Sequence, residues 1–119
     1  MPALALSYGA ASEMSPTARS LQHLRELGYR PAVVEKTIPH SYIKQDLFGV
    51  DILALKASLP ILAVQCTSGS NHAARRTKLE TEGFVDLWKG AGAIIEVWSW
   101  AQQGPRGDRK TWTLRREAL

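Results

Sequence analysis

Cysteine is nearly absent from this 119-residue chain: Cys66 stands alone, so an internal disulfide is impossible and a reducing, cytoplasmic setting is expected. No apolar run approaches the length of about 20 residues needed to cross a bilayer, which excludes a helical membrane span. The opening stretch MPALALSYGAASEM has neither the basic leader nor the long apolar block of a secretory signal. It reads as a loosely held N-terminal arm over 1–14, ahead of one domain over 15–119. There is no glycine-rich phosphate loop, and His23, His40 and His72 are scattered without metal-ligand spacing. A single cysteine also excludes a cysteine-rich zinc site. Repeats and low-complexity tracts are missing as well.

The chain has instead an ordinary globular composition with a basic balance. Fifteen Lys and Arg against eleven Asp and Glu leave a net charge of +4 and a pI near 9.5. That balance suits a polyanionic partner and equally suits many proteins without one.

Along the chain, Ser15 and Pro16 open a helix as N-cap and first residue, Leu21, Leu24 and Leu27 mark its apolar face, and Gly28 ends it. Arg19, Gln22, Arg25 and Glu26 are expected on its wet side. RPAVVEKTI, bounded by Pro31 and Pro39, reads as a strand carrying Glu35, followed by PHSYIKQD as a loop. Two short apolar runs, Ile52 to Leu55 and Ile61 to Val64, form a hairpin across the link KASLP. Ser70 or Asn71 caps a helix running through Leu79, and Gly83 breaks or bends the chain after it. FVDLW is a further helical turn or two, AIIEVWSW a strand, and KTWTLRR a final edge strand. A hairpin followed by a helical crossover predicts an α/β fold: a mixed sheet with the crossover pair parallel and helices on its faces.

The chemistry-bearing residues cluster at the far end of the hairpin. If Leu55 faces Ile61, Asp51 faces Gln65, and directly opposed Cβ atoms are about 5 Å apart. A carboxylate and an amide oxygen at that distance can share one metal ion. Asp46 precedes the LFG turn and Glu35 ends its own apolar run, so four oxygen-bearing side chains stand at or beside strand ends, a set suited to a hard cation such as Mg²⁺. Each has a plainer reading. Asp51 can cap the Gly49 turn, Gln65 can be a satisfied polar residue in a sheet, Glu35 can pair with a neighbouring cation, and Asp46 can be a loop residue. Thr67, Ser68, Ser70 and Asn71 either cradle a phosphate at a helix N-terminus or cap that helix. Cys66 points away from Gln65 and Thr67 and reads as packing. Trp98, Trp100 and Trp112 on the last two strands can stack bases, with core packing the better reading.

The order helix, three strands, helix, strand, with an aspartate entering the second strand (GVD) and a polar dyad leaving the third (QCT), resembles the PD-(D/E)XK nuclease superfamily, which includes archaeal Holliday-junction resolvases. The resemblance spans roughly Ser15 to Trp100. More narrowly, DLFGVD, QCTSGSN and ARRTK resemble small nuclease-like proteins of phages and bacteria. It implies a restriction-endonuclease-like αβββαβ core and a metal-dependent DNA endonuclease of a bacterial or phage-infected cell. Asp51 becomes the principal Mg²⁺ or Mn²⁺ ligand, with Gln65 in place of the usual glutamate and Thr67 in place of the usual lysine. Thr67 cannot supply a cation, so Lys36, Lys44, Arg75 or Lys78 takes that part. Asp46 or Glu35, or less readily Glu13, restores the missing negative charge, and the Cys66 carbonyl completes the metal's protein ligands. Asn71, Arg75, Arg76 and Lys78, with Arg106, Arg109 and Lys110 in the basic tail, are the implied DNA contacts. A homodimer is expected for cutting two strands. The alternative on the same fold is a pseudo-nuclease that binds DNA without cutting it.

Overall fold

A computed structural model describes residues 14–119; the rest of the N-terminal arm, Glu13 included, lies outside the described residues. The first helix among the described residues, α1 (Pro16–Glu26), begins as its sequence dictates: the Ser15 hydroxyl accepts from the Ala18 amide at 3.1 Å, and Pro16 takes the first position, where no amide is needed. Leu24 is fully buried on its inner face. Arg19 is not on the wet side. It is buried, its guanidinium 3.9 Å from the centre of the Trp112 ring, because an aromatic strand residue lies beneath it.

Among the described residues seven strands occur in chain order: β1 (Arg30–Val33), β2 (Lys36–Thr37), β3 (Lys44–Gln45), β4 (Ile52–Leu55), β5 (Leu62–Ser68), β6 (Ile94–Gln103) and β7 (Thr111–Ala118). Between β5 and β6 lie a 3-10 turn (Gly69–Asn71) and two helices, α2 (His72–Thr81) and α3 (Phe84–Gly90). One five-stranded sheet has the order β1-β4-β5-β6-β7, parallel only between β5 and β6, where the helical crossover intervenes. The mixed α/β architecture is therefore as expected, with β7 at an edge.

The segment carrying Glu35 differs from expectation. The strand stops at Val33, and β2 and β3 form a separate two-stranded ribbon closed around Pro39 and His40, the latter at φ +62°. The amides of Val34 and Glu35 both turn onto the carbonyl of Asp51, at 2.8 and 3.4 Å, so the chain leaves the sheet at this point. Lys44 and Gln45, expected in a loop, supply the partner strand.

Alternation along the strands divides the core into two layers. Ile52, Ala54, Leu62, Val64, Cys66 and Trp98 pack with Leu24 of α1 on one face. Val50, Ala63, Ile95 and Val97 pack with Leu79 of α2 on the other, with Phe84 and Trp88 of α3 alongside. β5 is buried along almost its whole length, so whatever polar groups it carries must be satisfied within the protein.

Candidate cation and nucleic-acid cleft

The turn DLFGVD builds the site. Leu47 and Val50 exchange both backbone hydrogen bonds, at 3.0 and 3.1 Å, across Phe48 and Gly49, whose φ values of +48° and +83° are those of a tight two-residue hairpin turn. A side chain on Gly49 would run into Leu79 and Phe84, so the turn is seated directly on the second core layer. One step outward from the Leu47–Val50 bridge, Asp46 and Asp51 stand on opposite arms of the turn. Their spacing in the sequence is that of this hairpin.

Asp51 enters β4 in the expected register: its amide donates to the Val64 carbonyl at 2.9 Å, and Ile52 pairs with Val64. The residue is 6% exposed, and its carboxylate accepts two hydrogen bonds on Oδ2, from the Cys66 amide at 2.9 Å and from Gln65 Nε2 at 3.1 Å. Burial pushes its pKa up to about 7; the Cys66 amide opposes this, and the neighbouring Glu35 and Asp46 carboxylates add to it. Glu35 arrives through the backbone bonds to the Asp51 carbonyl, and its Oε1 meets Lys44 Nζ at 3.6 Å.

Glu35, Lys44, Asp46, Asp51, Gln65 and Cys66 line a cleft of about 590 Å³ that Arg75 and Lys78 of α2 also line. Arg75 and Lys78 are three residues apart and so share a helix face. The first turn of α1 contributes Ser15 and Thr17, which the amphipathic pattern assigned to scaffold; a Ser-Pro helix start was visible in the sequence, but not where it points.

Other expected residues are elsewhere. Thr67 is buried and does not line the cleft, and Asn71 occupies the N-cap position of α2 without a side-chain cap, its Nδ2 donating to Ser68 Oγ at 3.2 Å. Arg76 faces β7, with Nη1 3.2 Å from Glu117 Oε2. Arg106, Arg109 and Lys110 are exposed in the β6–β7 connection, away from the cleft lining. The Cys66 thiol, turned into the α1 layer, is pushed up to about 12 by burial and offers no thiolate.

Gln65 lies beside Asp51 as the register requires, but its amide nitrogen is the atom presented, donating to Asp51 Oδ2 and to the Cys66 carbonyl at 3.1 Å each. A carbonyl only accepts, so this orientation is set by the partners. As they stand, Gln65 and the Cys66 carbonyl do not offer oxygens to a cation. Glu35, Asp46 and Asp51 are the carboxylates that line the cleft. Among the described residues no three His, Cys, Asp or Glu side chains form a ready-made metal cage, so these acids share the cleft without closing on one point. Compared with protein-family models, with curated proteins and with solved structures, the chain matches none.

Proposed function

We propose that this cleft binds and hydrolyses DNA phosphodiesters with the help of a divalent cation, on a restriction-endonuclease-like core. The observation that carries the reading is the meeting of Glu35, Asp46 and Asp51 with Arg75 and Lys78 in one cleft. Acids alone would repel a nucleic acid, and bases alone would need no acids beside them; a site handling a phosphate through a cation needs both. Counting only the strands of the five-stranded sheet, α1 is followed by β1, β4 and β5, then by the helical crossover and β6 parallel to β5, an order that supports the core assignment once the β2–β3 ribbon is set aside as an insertion.

Glu35, Asp46 and Asp51 would hold Mg²⁺ or Mn²⁺, which when bound polarises a phosphate and lowers the pKa of a water. Arg75 and Lys78 bind phosphate oxygens as cations. Lys44, held near Glu35, brings a positive charge into the cleft, which Thr67 cannot do. A homodimer would present two such clefts to the two strands of a duplex. The test is incubation of the wild type and Asp51→Ala with labelled duplex, single-stranded and four-way-junction DNA in Mg²⁺, Mn²⁺ or EDTA. Cleavage by the wild type alone, abolished by EDTA, is expected.

The Gln65 amide favours a second reading, a DNA-binding module that does not cut. Binding with no cleavage on any substrate, unchanged or improved in Asp51→Ala, would establish it instead.

A further inference from the structure

We infer that the Gln65 side-chain amide occupies the place of a cation, and that this one residue holds down the divalent-cation affinity of the cleft; this rests on reading the cleft as a cation site. Gln65 Nε2 lies 3.1 Å from both Asp51 Oδ2 and the Cys66 carbonyl oxygen. These two acceptors come from adjacent strands, and a positively polarised group between them is what a bound metal would also provide. An amide NH₂ has two protons, one for each acceptor, and carries its partial positive charge without a counter-ion. It thereby ties the start of β4 to the end of β5 in the absence of any metal.

With Oδ2 taken by Gln65 and by the Cys66 amide, Asp51 has only Oδ1 clear of these bonds to turn toward Glu35 and Asp46. Gln65→Glu would remove both amide protons, leave the Cys66 carbonyl open and put a fourth carboxylate among the acids of the cleft. Affinity for oxygen-seeking cations rises with the number of charged ligands, and the gain for one added carboxylate is taken as at least roughly tenfold. The glutamine is the positioning residue here, acting through Asp51.

The experiment is a calorimetric Mn²⁺ titration of the full chain, of Gln65→Glu and of Asp51→Ala/Gln65→Glu, without DNA. Gln65→Glu should bind at least roughly tenfold tighter than the wild type, and the double variant should lose that gain. Equal affinities for wild type and Gln65→Glu, or a gain that survives loss of Asp51, would overturn the inference. Should Gln65→Glu fail to fold, the wild-type amide decides. Side-chain NH₂ protons of Gln65 that exchange more slowly than those of an exposed glutamine support the bridge, and exchange at the free rate refutes it. Because DNA is absent, a protein that never cleaves can still pass this test, and an active nuclease can still fail it.

Discussion

His72 Nε2 lies 2.8 Å from Glu117 Oε1 while its Nδ1 lies 2.6 Å from Ser99 Oγ, so one buried imidazole joins the first residue of α2 to β6 and β7. A carboxylate only accepts, so Nε2 is the donor to Glu117. Arg76 adds a second contact to the same carboxylate at 3.2 Å. The sequence pattern contained no sign of this network, because its members are 27 and 45 residues apart. Serine, histidine and glutamate in a row resemble a nucleophile relay, yet Ser99 is 2% exposed and does not line the cleft. The network is a tie between layers.

Its removal should therefore cost stability. His72→Ala leaves the Ser99 hydroxyl unpaired inside the protein, and a loss of about 2–3 kcal/mol is expected by urea denaturation. The His72 hydrogen bond, followed by Arg76, holds the Glu117 carboxyl below its ordinary 4.5. A lowered carboxylate stabilises above its unfolded pKa and loses that contribution as acid passes its folded one. Glu117→Gln should accordingly flatten the acid limb of the stability profile below pH 4.5.

Asp51 has the opposite sign. With a folded pKa of about 7 against an ordinary 3.8, it keeps its proton in the folded chain after the unfolded chain has lost one. Stability therefore falls as pH rises between those values and is level outside them. The fall amounts to at most about 4 kcal/mol. Thermal melts of wild type and Asp51→Asn across pH 4 to 8 should diverge with rising pH in favour of the variant. Saturating Mn²⁺, by stabilising the ionised acid, should narrow the gap.

Gly49 and Gly83 have similar backbones, φ +83° and +75°, but a Cβ on Gly49 would collide with Leu79 and Phe84, whereas one on Gly83 would meet nothing within 4 Å. Gly83→Ala should cost about 1–2 kcal/mol for the left-handed conformation alone. Gly49→Ala should cost more, by about another 1–3 kcal/mol for overpacking, measured by denaturant midpoints. Equal losses would show that the DLFGVD turn is not seated on the core.

Substitutions at Arg75, Lys78 and Arg76 should separate the proposed DNA binding from stability. Arg75→Ala and Lys78→Ala should each weaken DNA binding and lower the slope of log affinity against log salt by about one. Arg76→Ala, already committed to Glu117, should leave that slope unchanged and lower the melting temperature. Fluorescence anisotropy at several salt concentrations distinguishes the three.

Much of the cleft was legible because it is local. The pairing of Asp51 with Gln65 comes from the hairpin register, which apolar alternation sets, since a slip of one residue would turn the buried Ile52, Val64 and Cys66 to the other face. The LFG turn after Asp46 was legible too, but that it is a two-residue turn at Phe48 and Gly49 setting Asp46 across from Asp51 is seen only in the structure. Both ends of α1 were legible from Ser15, Pro16 and Gly28, and the break before α3 from Gly83, whereas α2 runs past the expected Leu79 to Thr81 and has no side-chain cap. Glu35 was harder: β-branched residues continue past it, and only the backbone bonds to the Asp51 carbonyl show that the strand has ended and the ribbon begun.

By itself, then, the sequence determined the alternation, the turns and the identity of the acids and bases, because each depends on neighbours within a few residues. The tertiary structure alone decided which way those groups face. Arg75 turns to the cleft and Arg76 to Glu117 because α2 packs over the parallel pair β5 and β6 with β7 beyond it. Gln65 presents nitrogen in place of oxygen because two acceptors from different strands meet at its tip. The orientation of an amide is set by what surrounds it in space, and the order of residues along a chain does not contain that.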